Sequence, residues 1–188
     1  MKGKILKQYV KDFRTIGAVA ASSRYLVHKM LRDVDVESAS VILEYGPGTG
    51  VYTKEIVRRM QPGAKLVVIE YNEPLHDELA EKYSDNSNVH VVHGSAENVR
   101  AMVRALGIRG RADLIVSGLP FAGLPVQMSR TIMSETKKIL KSNGTFVTFQ
   151  YTLFKKQFLR QYFKHIYITH ELRNIPPAYV FRLTDSDK

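Results

Sequence analysis

The sequence predicts an α/β fold: a doubly wound, mostly parallel seven-stranded sheet carrying an antiparallel C-terminal hairpin. Three observations predict it. Short apolar runs recur between residues 41 and 151, with stretches of helical periodicity between them. A glycine-rich turn, Gly46-Pro-Gly48-Thr-Gly50, follows the first run directly. Near the C-terminus two β-rich runs flank a Pro-Pro turn.

In chain order, Val41-Ile42-Leu43 ends at Glu44 and the glycine turn, as a buried parallel strand does. Tyr52, Ile56 and Met60, with Val57 beside them, form a helical stripe, and Lys54, Arg58 and Arg59 take the other face. Pro62-Gly63 ends that helix, and Lys65–Glu70 is the second strand. Asn72 caps a helix whose stripe is Leu75, Leu79 and Tyr83. Val89–His93 is the third strand. Ser95 caps a helix carrying Val99, Met102, Val103 and Leu106, which Gly107 ends. Leu114–Val116 is the fourth strand. A helix over about Pro125–Lys141 leads through an Asn143-Gly144 turn into a fifth strand, Thr145–Tyr151. A helix around Phe154–Phe163 precedes the runs Ile166–Leu172 and Ala178–Leu183, which pair as a hairpin about Asn174-Ile-Pro-Pro177 and close one sheet edge.

Composition bounds the possibilities. A chain of 188 residues, 44% hydrophobic and 24% charged, is neither a disordered chain nor a fibre, and fits one domain. No apolar run approaches the roughly 18–20 residues of a membrane span, and no secretory signal is visible. The absence of cysteine excludes disulfides, thiolate metal sites and cysteine nucleophiles, and suits a cytoplasmic location. The net charge of +10 is unevenly spread. Residues 1–32 carry eight basic residues against Asp12, and residues 137–173 carry eight against Glu171. Two such segments point to an anionic partner, nucleic acid or a phospholipid surface. The six histidines show no metal-binding spacing, so no metal site is expected.

In an open parallel sheet, ligands bind beyond the carboxyl ends of the strands. Here the first strand ends in Glu44-Tyr45-Gly46-Pro-Gly48-Thr-Gly50, whose alternate glycines admit a ligand against bare backbone. The G-x-G-x-G spacing differs from a dinucleotide fingerprint, and no Walker lysine follows. Glu70, twenty residues past Gly50, ends the second strand where a carboxylate can accept both hydroxyls of a ribose. These residues resemble a class I S-adenosylmethionine-dependent methyltransferase, a Rossmann-like fold, over about residues 40–150. The resemblance implies that Gly46, Gly48 and Gly50 line the methionine part of S-adenosyl-L-methionine, with Glu44 near its amino group. It implies that Glu70 holds the ribose and that Ser95 and Ala96 meet the adenine. Tyr45 and Tyr71 flank these loops. Residues 33–188 then form the methyltransferase domain, and residues 1–32 an N-terminal amphipathic helical segment.

The fourth strand ends in Ser117-Gly118-Leu119-Pro120-Phe121, where the family places its methyl acceptor, with Ser117 also beside the cofactor. Adenine N6-methyltransferases show Asn/Asp/Ser-x-Pro-aromatic here, and Gly118 stands at the orienting position instead. A longer resemblance is carried by Thr15–Arg24, Glu44–Gly50, Gly94–Glu97, Ser117–Phe121, Phe149-Gln-Tyr151 and Asn174–Ala178 in that order. Together they look like the bacterial phospholipid N-methyltransferases, which methylate phosphatidylethanolamine and its methylated forms. Tyr151 and Tyr179 are candidates for lining the acceptor pocket, since aromatic faces attract alkylated ammonium groups.

The N-terminus has its own physical pattern. Ile5, Leu6, Tyr9, Val10 and Phe13 share one helical face, with Lys4, Lys7, Lys11 and Arg14 off it. An interfacial helix reads this way, apolar side toward acyl chains and lysines among anionic headgroups. The expected partners are therefore an anionic phospholipid membrane, met at its cytoplasmic face, and a phospholipid amine substrate. RNA, with an rRNA adenine as acceptor, is the alternative.

Overall fold

A computed structural model of the protein describes residues 23–187. The amphipathic pattern of residues 4–14 and the run 15–22 lie outside the described residues. Seven strands, β1 (Val41–Tyr45), β2 (Lys65–Glu70), β3 (Val89–His93), β4 (Ala112–Ser117), β5 (Leu140–Gln150), β6 (His165–Glu171) and β7 (Ala178–Thr184), form one sheet in the order β3-β2-β1-β4-β5-β7-β6. Strands β1 to β5 are mutually parallel, and β7 runs antiparallel to both of its neighbours.

Alternation along each strand sorts the core into two layers. On one face Ile42, Leu66 and Val147 pack under α1 (Arg24–Arg32), α2 (Val51–Arg59) and α3 (Glu73–Lys82), through Leu26, Met30, Tyr52, Ile56 and Leu79. On the other, Leu43, Tyr45, Ile115 and Phe146 pack under α4 (Val99–Ala105), α5 (Val126–Ile139) and the short α6 (Lys156–Arg160). The caps form as the spacing predicts: Asn72 Oδ1 accepts the Leu75 N–H, and the Ser95 hydroxyl accepts the Glu97 N–H. After Ser95 the chain makes a 3₁₀ turn (Ala96–Asn98) before α4 begins.

Four details depart from the sequence reading. The C-terminal hairpin does close the sheet edge, but β7 inserts between β5 and β6, so only β6 is exposed as the outer strand. Strand β5 starts at Leu140, directly after α5. Ala112 pairs with Leu140 and Leu114 with Thr145, so the Asn143-Gly144 turn is a bulge inside the strand. The helix predicted over Phe154–Phe163 is helical only from Lys156 to Arg160, because Phe163 turns back to stack on Phe146 at 6.0 Å. Finally, α1 is an integral part of the domain: Leu26, Met30 and Leu31 are buried, although its sequence belongs to the basic N-terminal segment.

Candidate active site

Three strands end on a glycine whose N–H bonds the carbonyl of a neighbouring strand. Gly46 donates to Ile69, Gly118 to Tyr45 and Gly94 to Glu70, at 2.8–2.9 Å. These bonds carry the ladder one residue past the sheet and fix the loops above it. Between the loops lies a cleft lined among others by Gly46, Gly48, Glu70, Tyr71, Ser95 and Ala96.

Gly46 has φ +61°, a left-handed conformation that calls for glycine, and the Leu119 side chain packs over it, 2.9 Å from where a Cβ would stand. Gly118 is tighter still: a Cβ would lie 2.5 Å from the Gly46 carbonyl oxygen. Backbone meets backbone at that point, and no side chain fits.

Glu70 is buried to 6% exposure on the cleft wall. One carboxylate oxygen accepts the Asn72 N–H at 2.7 Å and the other the Gly48 N–H at 3.3 Å. Burial raises its pKa, and these backbone donors oppose the rise. Each oxygen keeps lone-pair capacity for a ligand hydroxyl. Glu44 lies behind the glycine loop. Its Oε2 accepts the Thr53 hydroxyl at 2.7 Å, while its buried Oε1 has no hydrogen-bond partner. Burial pushes the Glu44 carboxyl up to about 8.

Not every candidate residue reaches the cleft. Tyr45 follows Glu44 on the strand and so points to the opposite face, where it is fully buried with its hydroxyl against Thr136. Gly50, at φ +76°, is the N-cap of α2 rather than a wall residue. Ser117 is buried, and its hydroxyl accepts the Leu119 N–H at 3.2 Å, which shapes the loop from beneath. Leu119 itself lines the cleft, and its carbonyl accepts from the Gln150 side chain at 3.0 Å.

A smaller pocket adjoins the cleft, with Gly118 and Pro120 lining both. Its other walls are Ala122, Phe149, Gln150, Tyr151 and Thr152. Tyr151 is half-buried, its hydroxyl lies against the Asn174 side chain, and burial raises its pKa. Tyr179 is absent from this pocket. It faces the other side of the sheet, stacked on His170 at 4.3 Å. The sequence reading missed Leu75, Leu124, Met128 and Ile132, which complete the cleft's apolar wall. Leu75 was visible only as a core stripe residue, and the others sit just before or along α5, whose approach to the cleft depends on tertiary packing.

A family model described as a methyltransferase domain matches residues 42–144, more than half of the chain. The chain belongs to the methyltransferase domain family. It is an S-adenosylmethionine-dependent methyltransferase. The ornithine lipid N-methyltransferase of Singulisphaera acidiphila is 31% identical over 175 residues, covering 92% of this chain and 90% of that protein. Ribosomal RNA small subunit methyltransferase A of Pseudomonas putida is 29% identical over 96 residues, 51% of this chain and 34% of its own length. Among solved structures, the N-methyltransferase NodS of Bradyrhizobium japonicum, in complex with S-adenosyl-L-homocysteine, matches with a TM-score of 0.65. It is 13% identical, and the match covers 86% of this chain and 88% of that one. Likeness at that identity concerns the fold alone.

The residues present fit S-adenosylmethionine. The cleft offers bare glycine backbone at Gly46 and Gly48, a buried carboxylate on its wall at Glu70, and an apolar end formed by Ala96, Leu124, Met128 and Ile132. The unpaired Glu44 oxygen beneath the loop is a buried acceptor of the kind an ammonium group would satisfy.

Proposed function

We propose that this methyltransferase methylates the amine of a phospholipid headgroup, phosphatidylethanolamine and its methylated forms, at a membrane surface. What supports this reading most is Gly118. An adenine N6-methyltransferase needs an orienting side chain at this position, and the contact with the Gly46 carbonyl leaves no space for one. The similarity to a lipid N-methyltransferase along nearly the whole chain points the same way, whereas the rRNA methyltransferase above matches about half of it. Among the described residues no helix is long and apolar enough to cross a membrane.

In this reading Glu70 holds the ribose hydroxyls, Ser95 and Ala96 border the adenine, and the glycine loop with Glu44 takes the methionine end. When bound, S-adenosylmethionine supplies an electrophilic methyl on a sulfonium. The chain's own task is positioning: a neutral amine must approach in line through the opening beside Gly118. The headgroup amine loses a proton to water before it enters. Tyr151 lines that opening, and an aromatic ring there suits an amine that gains positive charge as it is alkylated. Ser117 and Gln150 hold the Leu119 turn between the two pockets.

The test is transfer of labelled methyl to phosphatidylethanolamine by the parent protein and by Tyr151→Ala. A several-fold loss of kcat/KM on lipid with cofactor affinity unchanged is expected. Equal kcat/KM in the two proteins would remove Tyr151 from the acceptor site.

A further inference from the structure

We infer that the folded domain itself docks on an anionic lipid bilayer through the loops that follow β5 and β6, the rim beside the acceptor pocket. The choice of partner rests on the lipid-amine reading, while the surface stands on its own geometry. Among the described residues seven large hydrophobic side chains are exposed, and five of them, Val126, Leu153, Phe154, Leu172 and Ile175, lie at the carboxyl ends of the strands. Phe154 is 80% exposed and Ile175 79%. Isolated exposed hydrophobics are ordinary, but a concentration at one end marks an interaction surface.

The charge at this rim says what it meets. Residues 118–134, 151–160 and 172–178 contain no aspartate or glutamate, and they carry Arg130, Lys155, Lys156, Arg160 and Arg173. The adjacent carboxylate, Glu171, is buried and already bound by Arg173. Lys155 sits 5.7 Å from the Phe154 ring and 5.6 Å from Phe158, so cation and aromatic occupy one patch. The opposite side of the cleft differs, since the loop and helix after β2 carry Glu73, Asp77 and Glu78. Apolar tips set among unopposed lysines suit an acyl boundary below anionic headgroups.

Two further features agree. Thr152 and Tyr151, which line the acceptor pocket, directly precede Leu153 and Phe154, so a lipid held at the rim has its headgroup next to the opening. The chain also enters the described domain here, because the Ser23 N–H donates to Asn174 Oδ1 in the turn after β6.

Flotation of the full chain with phosphatidylethanolamine–phosphatidylglycerol vesicles tests the inference. The parent is compared with the double variant Phe154→Ser/Ile175→Ser and with Leu106→Ser, an exposed residue at the amino end of β4. Cofactor binding and thermal unfolding check that each is folded. The double variant should lose about tenfold or more in vesicle partitioning, with Leu106→Ser like the parent. Turnover on monomeric short-chain phosphatidylethanolamine should be the same in all three. Parental partitioning by the double variant would overturn the docking surface, as would a loss confined to ribosomal RNA binding. Rim-dependent vesicle binding by a parent that methylates no monomeric lipid would sustain the surface and defeat the lipid-amine reading.

Discussion

Glu44 and Glu70 stand on adjacent strands, and burial raises the pKa of both, Glu44 being the more fully enclosed. Glu70 has two backbone N–H donors and faces the cleft. Its replacement by alanine should weaken S-adenosylmethionine binding by about 1.5–3 kcal/mol, the loss of charge-assisted bonds to ribose; titration calorimetry showing unchanged affinity would reject that role. Glu44 has one hydroxyl donor and a carboxyl raised from 4.5 to about 8. Folding therefore favours its protonated form. That contribution to stability is whole below about pH 4.5, declines as pH rises, and is gone once pH passes about 8. Glu44→Gln should accordingly stabilise the ligand-free protein relative to the parent at pH 8.5 and change it little at pH 4.5. Thermal unfolding at the two pH values checks this, and equal differences at both would contradict it.

The elements bring these residues together through their ends. Gly118 and Gly46 lie where the β4 and β1 loops touch, so Gly118→Ala should force the loops apart. Weaker cofactor binding and a lower unfolding midpoint are expected, and parental values for both would contradict the contact. Asn174 joins three elements: it accepts from Ser23 at the start of α1, donates to the Pro176 carbonyl, and lies against the Tyr151 hydroxyl. Asn174→Ala should cost about 1–3 kcal/mol in denaturant unfolding through the polar groups left unpaired. A change within error would show that those groups find other partners.

At this scale the sequence was most legible where the signal is local. Glycine spacing, the acid after the second strand and the helix caps are set by near neighbours, and they placed one wall of the cleft. Strand-face parity was also available: Tyr45 must oppose Glu44, which sends it to the core. The position of β7 inside the sheet was not legible, because pairing with β5 or with β6 satisfies the same alternation. Nor was the cleft wall formed by Leu124, Met128 and Ile132, which look like ordinary helix core until the chain packs.

The whole molecule is polarised. One end of the sheet holds the larger cleft, the pocket beside Gly118 that we assign to the acceptor, five of the seven exposed large hydrophobics among the described residues, and Ser23, where the described chain begins. A bilayer lying against that end would bring headgroups to the pocket without extracting the lipid. Electrostatic attraction at such a surface weakens as salt rises, so vesicle binding should too.

The central claim is the identity of the acceptor. Labelled methyl from S-adenosylmethionine, offered in parallel to phosphatidylethanolamine in anionic vesicles and to unmodified ribosomal RNA, tests it most directly. Label in the lipid, with none in the RNA, is the predicted result. Label in the RNA alone would contradict it, and would mean that an adenine site can be built around Gly118.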